Sequence, residues 1–403
     1  MHVKTVIHAI TPGDHYSPST GSAIPTVVHG LATAAARDAD PVRHAVVLDE
    51  STMHPRYDGA ETIEYAREPW LSRNDRALDA LRARLGATRT ATRRFYTPVA
   101  DAIRRREPSI VLAHNAPVLP QLLRGARHSV VLYAHNDILK TYSRAEAQRA
   151  LDGVGAIVTV GEALAERTRS RLPPNLAERV RVVRNGVDCE MFSPATSPGM
   201  QRGAEDSTTA SSTSKYPERL RVVFVGRMIE EKGPDMLIRA AGLLRRPDLE
   251  VLLIGSQGFA RDAALSPYEL DLRRLAAEAT TASGSDIRFE PFVDRIALPD
   301  LLRSADVLVV PSRWDEPSGL TAAEGLATGL PVIASRVGGL PDVVGSAGIL
   351  VAPDDPSALA GALAALADDP EARKARGRMA RQHALEHDWS WAWSNLRGVL
   401  EEL

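Results

Sequence analysis

The chain has 403 residues, which is too long for one hydrophobic core and matches two domains of ordinary size. Hydrophobic residues make up 44% and charged residues 25%, as in soluble globular proteins, and no apolar run is long enough for a transmembrane helix. The net charge of −2 gives no argument for nucleic-acid binding, and the single cysteine, Cys189, excludes an intrachain disulfide and a thiolate metal cluster.

The first half alternates short apolar runs with amphipathic stretches, a pattern typical of a doubly wound parallel sheet. Strands are predicted at Val3–Ile10, His44–Leu48, Ser109–Ala113, Ser129–Ala134, Ala156–Val160 and Val180–Val183. Helices are predicted at Thr26–Arg37, Asp75–Leu85, Thr88–Arg106, Pro117–Arg124, Arg144–Leu151 and Glu162–Arg171. Charge and histidine within the first ten residues argue against an export signal, so we expect a cytoplasmic protein.

The loop from Pro12 to Ser22 joins the first strand to the first helix. Ligands bind at the carboxyl ends of parallel strands in open α/β sheets, so this loop is predicted to face a ligand. Gly21 lets the backbone approach a phosphate closely. A turn without a ligand role is the alternative.

The first half is also the more basic one. Residues 1–190 hold 26 basic and 21 acidic residues, and eight arginines lie between Arg82 and Arg106 against one acid, Asp101. This charge fits an anionic acceptor or a weak contact with a membrane surface. A solvated helix face is the alternative.

Between Ser193 and Pro217 the composition changes to Ser, Thr, Pro and Gly without an apolar period, which predicts a flexible linker. The α/β alternation then resumes. Further strands are predicted at Arg221–Gly226, Glu250–Ile254, Ile287–Phe289, Val307–Val310 and Pro331–Ala334. The final stretch, Asp388–Leu403, is predicted to be a packed helix, because its three tryptophans are too much aromatic surface for a free tail. A contact between two copies of the chain is the alternative to packing within one copy.

The stretch Pro311–Glu324 combines a helix start with two carboxylates. Ser318 is predicted as the N-cap and Gly319-Leu320-Thr321 as the first turn, so that backbone N–H groups and the positive end of the helix dipole can bind a phosphate. Glu316 precedes the helix and Glu324 lies within it, where each carboxylate can accept hydrogen bonds from hydroxyls. The order hydroxyl, phosphate, hydroxyl is that of a nucleotide sugar.

A second motif points to the same ligand. The apolar strand Val222–Gly226 runs into Arg227 and, five residues later, Lys232. Two cations at the carboxyl end of a strand can bind phosphate by charge-assisted hydrogen bonds. Only five of the 49 basic residues are lysines, so composition alone rarely places a lysine there. A solvated loop charge is the alternative.

Together these residues resemble the fingerprint of the family 4 glycosyltransferases, which are retaining enzymes of the GT-B fold. The fingerprint is Gly-Arg, then Glu-Lys-Gly, then two glutamates with seven residues between them. This chain has it at Gly226-Arg227, Glu231-Lys232-Gly233, Glu316 and Glu324. Further matches are Asn185–Asp188, Gly255, Gly329–Ile333 and Gly338–Asp342. Neither a P-loop nor Gly-x-Gly-x-x-Gly after a strand occurs, which argues against an ATPase or a dehydrogenase.

The resemblance implies an α/β architecture with two Rossmann-like domains that face each other across a cleft, and a C-terminal helix that crosses back to the first domain. Its motifs cover the C-terminal half densely and the N-terminal half thinly. We expect an N-terminal acceptor domain at residues 1–192, a flexible linker at 193–217, a nucleotide-sugar (donor) domain at 218–385 and the crossing helix at 386–403.

The resemblance also implies roles for the donor site. Arg227, Lys232 and the helix start stabilise the departing diphosphate, Glu316 orients the donor sugar, and Glu324 holds the ribose. These cations take the place of a divalent ion, so neither a metal nor another cofactor is expected. An aromatic residue usually stands where this chain has Ser318, which leaves more room near the donor sugar.

Two residues of the first half are included in the implied site. His135 follows a buried strand where similar enzymes have a histidine that contacts the donor sugar, and His114, at the end of the preceding strand, is the alternative. Gly21 occupies a position where the family often has two consecutive glycines, whereas this chain has Gly21-Ser22.

The implied function is transfer of a hexose from a nucleoside-diphosphate sugar to an acceptor hydroxyl with retention of configuration. A covalent double displacement is poorly supported, because no activated nucleophile is evident. The acceptor, whether small molecule, glycan or lipid-linked, and the oligomeric state stay open. The alternatives are a nucleotide-sugar hydrolase or epimerase of the same fold, and a non-catalytic nucleotide-sugar sensor.

Overall fold

The computed structural model describes residues 5–66, 71–84, 86–195, 219–258 and 264–403. The chain divides into two compact units. The first unit contains residues 1–186 and 389–403, and the second contains residues 187–388. No helix in the described ranges is both long and apolar enough to cross a membrane.

The first unit is built on one parallel sheet. Its strands are β1 Thr5–Ala9, β2 Arg43–Asp49, β3 Glu61–Tyr65, β4 Ile110–His114, β5 Ser129–Ala134, β6 Ala156–Thr159 and β7 Val180–Val182. They lie in the order β3-β2-β1-β4-β5-β6-β7. Its helices are α1 Ala23–Ala36, α2 Arg73–Arg84, α3 Thr90–Arg104, α4 Leu119–Leu122, α5 Arg144–Ala150, α6 Glu162–Arg171, α7 Pro174–Ala177 and, from the end of the chain, α15 Trp389–Glu401.

The second unit repeats this plan with six parallel strands. They are β8 Leu220–Val225, β9 Leu249–Ile254, β10 Asp286–Glu290, β11 Val307–Val310, β12 Val332–Ser335 and β13 Ile349–Val351, in the order β10-β9-β8-β11-β12-β13. Its α-helices are α8 Pro234–Leu244, α9 Pro267–Ser283, α10 Leu298–Arg303, α11 Leu320–Ala327, α12 Leu340–Val344, α13 Pro356–Asp368 and α14 Pro370–Leu385.

The central strands are mostly apolar because helices cover both faces of each sheet. In β8, Val222 and Phe224 pack into one hydrophobic cluster, whereas Val223 packs into another on the opposite face. Two strands were not predicted. In β3 only Ile63 and Tyr65 are buried, and β13 has three half-buried residues, so neither edge strand carries a clear period.

The predicted end of the first domain at residue 192 was wrong. Val187 and Phe192 are buried in a core cluster of the second unit, and the Val187 N–H donates to the His387 carbonyl over 3.3 Å. The carbonyl of Ser193 accepts a hydrogen bond from Arg303 of the same unit. The boundary therefore lies after residue 186. Residues 196–217 of the predicted linker lie outside the described residues.

The C-terminal helix α15 packs against α1 within the first unit. Trp393 is 2% exposed, and its indole N–H donates to Asp38 Oδ2 over 2.8 Å. Arg397 bonds to the same carboxylate and to Asp40. The helix is therefore held by a buried aromatic ring and by a polar anchor at the end of α1.

Replacing Trp393 by alanine is expected to lower the free energy of unfolding of the first unit by about 3–5 kcal/mol, the usual cost of removing a buried tryptophan. Denaturant unfolding followed by circular dichroism measures this loss. Trp391→Ala is the matched control, because Trp391 is only partly buried, and it is expected to cost much less. Equal losses in the two variants would contradict the assigned docking face.

Candidate functional site

The helix that was expected to bind phosphate, α11, begins at Leu320. The N-cap is Gly319 and not the predicted Ser318, and no side chain caps the first turn. Gly319 has φ 67°, in the left-handed region that favours glycine, and a Cβ there would lie 2.7 Å from the Leu340 side chain. Packing against α12 therefore decides the cap. The uncapped helix start remains suited to an anion.

The most informative contact of the second unit joins the two sequence motifs. Lys232 Nζ forms an ion pair with Glu316 Oε1, and the Ser312 hydroxyl donates to the same oxygen over 2.8 Å. Lys232 follows β8 and Glu316 follows β11, which are neighbouring strands. Because the carboxyl ends of parallel strands share one edge of the sheet, residues 84 apart in the chain meet there.

A glycine makes this approach possible. Gly233 follows Lys232 with φ 66°, and a Cβ at this position would lie 2.1 Å from the Pro311 carbonyl oxygen. Only glycine fits both the backbone conformation and the space. The Glu-Lys-Gly motif thus holds the turn after β8 against the loop after β11.

Arg313 also joins the turn after β8 to the loop after β11, although the sequence motifs did not point to this residue. Its guanidinium makes two 2.7 Å bonds to the carboxylate of Asp235, and it also bonds to Asp354 and to the Glu230 carbonyl. Burial opposes ionisation of Asp235, but hydrogen bonds from Arg313 and Tyr268 hold its pKa below the usual value. Arg313 therefore supports the loop that carries Glu316.

Arg227 is exposed at the end of β8, and its Nε donates to the Gln257 carbonyl over 3.0 Å. This bond fixes the base of the guanidinium at the edge of the sheet where Lys232 lies. Among the described contacts, none joins Arg227 to the Lys232–Glu316 pair. The two cations thus have separate partners at one edge of the second sheet.

Glu324 lies in α11 and is 3% exposed. Its Oε1 forms an ion pair with Arg295, whose guanidinium lies 5.0 Å from the centre of the Phe192 ring. Sequence analysis did not single out Arg295. The sequence feature that could have pointed to Arg295 is its position shortly after β10, because loops that follow parallel strands reach the ligand-binding edge of the sheet.

In the first unit, Gly21 is exposed in the loop between β1 and α1. The Ser22 hydroxyl next to it donates to Asp14 Oδ2 over 2.9 Å, and burial raises the pKa of Asp14. Because this hydroxyl is directed to Asp14, no side chain caps α1. The loop is thus held by its own side chains, and no described contact joins Gly21 to His135.

The two candidate histidines are bonded to each other. His135 Nε2 lies 2.7 Å from His114 Nδ1, and the His135 backbone N–H donates to Asn115 Oδ1 over 2.8 Å. His135 retains 7% exposure, whereas His114 is fully buried behind it. Burial lowers the pKa of His135 to about 3, so its ring is neutral at physiological pH.

The arginine-rich stretch is not one uniform solvated face. Arg89 forms an ion pair with Glu146, bonds to the Thr141 carbonyl and lies 4.1 Å from the centre of the Tyr142 ring. It is therefore part of the domain structure. Arg104 and Arg106, in contrast, form exposed ion pairs.

No group of three or more His, Cys, Asp or Glu side chains in the described ranges is arranged to hold a metal ion. Burial raises the pKa of the Cys189 thiol to about 11, so this residue is poorly suited to react or bind as a thiolate.

Two family models together match most of the chain. The model "Glycosyltransferase Family 4" matches residues 24–191, and "Glycosyl transferases group 1" matches residues 206–383. Spore coat protein SA of Bacillus subtilis (strain 168) is 29% identical over 319 residues, which are 77% of this chain and 82% of that protein. The D-inositol 3-phosphate glycosyltransferase of Paenarthrobacter aurescens (strain TC1) is 35% identical over 248 residues, 60% of this chain and 56% of that enzyme.

Among solved structures, the Anabaena protein Alr3699/HepE in complex with UDP and glucose superposes with a TM-score of 0.69 over 100% of both chains at 18% identity, a likeness of fold. The two parallel-sheet units and their strand-end site define a protein of the GT-B class. The chain belongs to the family 4 glycosyltransferases. It spans about half the length of the inositol phosphate glycosyltransferases that it matches.

Proposed function

We propose that this glycosyltransferase transfers a hexose from a nucleoside-diphosphate sugar to an acceptor hydroxyl with retention of configuration. The observation that carries the proposal is the contact of Lys232 with Glu316 just before the uncapped start of α11. A cation for the phosphate, a carboxylate for sugar hydroxyls and a helix N-terminus thus lie together at the carboxyl edge of the second sheet, where β8 and β11 end side by side.

The donor-side chemistry follows from charge. A departing diphosphate carries developing negative charge, which Arg227, Lys232 and the N–H groups of Leu320 and Thr321 would stabilise. Gly319 permits the left-handed turn that exposes those N–H groups. The Anabaena protein of the same fold was solved with UDP and glucose, so UDP-hexoses are the first donors to test.

Glu316 would position the sugar through its hydroxyls and is less suited to attack it. Its Oε1 already accepts hydrogen bonds from Lys232 and Ser312, which lowers the nucleophilicity of the carboxylate. In a same-face reaction the bond between the anomeric carbon and the phosphate oxygen breaks while the acceptor oxygen bonds to that carbon. The acceptor proton passes to the departing phosphate. Ser318, smaller than the usual aromatic, leaves room for a substituted hexose.

The first unit would supply the acceptor site and the donor contact of His135, with Gly21 approaching the sugar phosphate. His135 is the better placed of the two histidines, because His114 is fully buried behind it. Weak contact of the basic stretch with a membrane surface and a cytoplasmic location complete the proposal. Because Arg89 is bound within the domain, the exposed Arg94 would make that contact, together with the partly exposed Arg93 next to it.

Mass spectrometry with a panel of nucleotide sugars tests the function. The purified protein is incubated with each donor, with and without cell-extract acceptors, and released nucleoside diphosphate and glycosylated products are scored. We expect a glycosylated product that depends on acceptor. Release of free sugar at the same rate without acceptor would indicate a hydrolase, an altered sugar still bound to nucleotide would indicate an epimerase, and donor binding without turnover would indicate a sensor.

Activity is expected to survive an excess of chelator, because Arg227, Lys232 and the helix terminus would supply the charge that a divalent ion supplies elsewhere. Initial rates are compared with and without chelator, after removal of bound metal. Loss of activity that Mg²⁺ or Mn²⁺ restores would overturn this expectation.

Glu324→Ala is expected to weaken nucleoside diphosphate binding by about 1–3 kcal/mol, the cost of losing a charged hydrogen-bond partner for the ribose. Isothermal titration calorimetry measures this affinity. Glu278→Ala is the control, because Glu278 is an exposed glutamate of the same unit. Glu316→Ala is expected to leave this affinity nearly unchanged, since its partner is the sugar. Equal losses at Glu316 and Glu324 would contradict the layout.

A further inference from the structure

Four histidines form one hydrogen-bonded chain across the first sheet. His44 Nδ1 lies 2.8 Å from His8 Nε2, His8 Nδ1 lies 2.9 Å from His114 Nε2, and His114 Nδ1 lies 2.7 Å from His135 Nε2. They come from β2, β1, β4 and the end of β5, which are consecutive strands of the sheet. Both ring nitrogens of His8 and of His114 are thus used.

All four rings are neutral. His8 and His114 are fully buried, and desolvation lowers the pKa of each well below its usual value. Burial likewise lowers the pKa of His44 and of His135 to about 3. A charged ring at any of these positions would also repel its neighbours.

Counting hydrogens shows that the four tautomers are coupled. A neutral imidazole carries one N–H and one bare nitrogen, and each hydrogen bond needs one hydrogen. His8 and His114 must therefore donate on one side and accept on the other. Only two orders satisfy all three bonds: every hydrogen points toward His135, or every hydrogen points toward His44.

The His44 end of the histidine chain distinguishes these two orders. His44 Nε2 is buried without a hydrogen-bond partner, and the ring packs edge-on with Trp393 at 5.0 Å between centres. If the hydrogens pointed toward His44, this nitrogen would carry a buried N–H without a partner, which native proteins rarely contain. In the other order it carries only a lone pair. The hydrogens then point toward His135, whose Nε2 accepts and whose Nδ1 carries the remaining hydrogen.

We propose that His44, His8 and His114 are positioning residues that fix His135 as the neutral Nδ1–H tautomer, and so make it a hydrogen-bond donor toward a ligand oxygen. Nδ1 is the ring nitrogen that no described residue bonds. His135 directly follows β5, so it lies at the carboxyl edge of the sheet, where a sugar hydroxyl or a phosphoryl oxygen is the fitting acceptor. The identity of that ligand rests on the proposed function, whereas the tautomer does not.

Nitrogen-15 NMR of the ligand-free protein tests the tautomer directly. A long-range correlation between the carbon-bound hydrogens and the nitrogens of each imidazole ring distinguishes protonated from bare nitrogens. The signals that disappear in His135→Asn are those of His135. We expect a protonated Nδ1 and a bare Nε2 for His135, and a bare Nε2 for His44. A protonated Nε2 on His135, with the matching hydrogen of His44 held over Trp393, would overturn the proposal, and so would averaging between both forms.

A matched pair of variants tests the relay. In His44→Gln the row of hydrogen-bonded side chains ends in an amide, which can donate or accept a hydrogen bond. Both hydrogen orders then become available, so the His135 Nδ1 signal should shift toward that of a bare nitrogen. His44→Phe keeps the size of the ring and offers no hydrogen bond, so His135 should keep its tautomer. Melting temperatures confirm that each variant folds. An unchanged tautomer in His44→Gln would refute the relay.

If His44 had only a structural role, His135 would have the same tautomer in His44→Gln and in His44→Phe. Transfer kinetics add a second measurement: a population with half its molecules in the wrong tautomer loses about two-fold in apparent donor affinity, and a fully reversed chain loses more. This loss is expected in His44→Gln and not in His44→Phe. If the NMR result holds but no transfer is found, the relay stands and only the proposed function fails.

Discussion

Lys232→Ala is expected to lower kcat/KM by about 10- to 1,000-fold, the range found when a charged donor to a developing anion is removed. Lys232 is held at the end of β8 by Gly233 and by its ion pair with Glu316. A nucleotide sugar would bring a phosphate that competes with Glu316 for the ammonium group. Arg227→Ala is expected to lose activity in the same range.

Steady-state kinetics with the donor found by mass spectrometry measure this loss. Lys374→Ala is the control, because Lys374 lies on an exposed helix face in an ion pair with Glu371. Glu316→Gln should depress turnover while nucleoside diphosphate affinity holds, since Lys232 then keeps its charge and loses a competing carboxylate. Near-normal turnover in a folded Lys232→Ala protein would remove the diphosphate assignment.

Acid is expected to destabilise the first unit steeply below pH 6.5, well before most carboxylates protonate. The four chain histidines, His8, His44, His114 and His135, have pKa values lowered by burial in the folded state, whereas in the unfolded chain they titrate near 6.5. The unfolded state therefore binds more protons in this window. Stability is complete above pH 6.5 and falls as the pH drops toward about 3.

The slope is about 1.4 kcal/mol per pH unit for each histidine that is protonated only on unfolding. Four such groups give roughly 5 kcal/mol per pH unit around pH 5, which is large compared with the stability of a domain. Urea unfolding at several pH values between 4.5 and 7 measures this slope. His44→Phe should reduce it by about one proton. A flat profile down to pH 5 would show that the buried histidines are not neutral in the folded state.

Sequence alone predicted the strands of both sheets that are buried on their two faces, such as β5, β6 and β11, within one residue at their ends. Continuous apolar runs reveal these strands because both faces must be covered. The same analysis singled out Lys232 and Glu316, because a cation and a carboxylate beside strand ends and a helix start have a distinctive pattern, and the two side chains form an ion pair in the structure. It did not find β3 or β13, because short edge strands are only partly buried.

Tertiary structure decided the rest. Leu340 packs where a side chain at residue 319 would lie, so Gly319 replaces Ser318 as the cap of α11. Arg295 and Arg313 join the site through contacts across 29 and 78 residues of chain, which no local period encodes. The histidine chain depends on strand order, which places β2, β1, β4 and β5 side by side. Local propensity and hydrophobic period act over neighbouring residues, whereas caps, ion pairs and tautomers depend on what the fold packs against them.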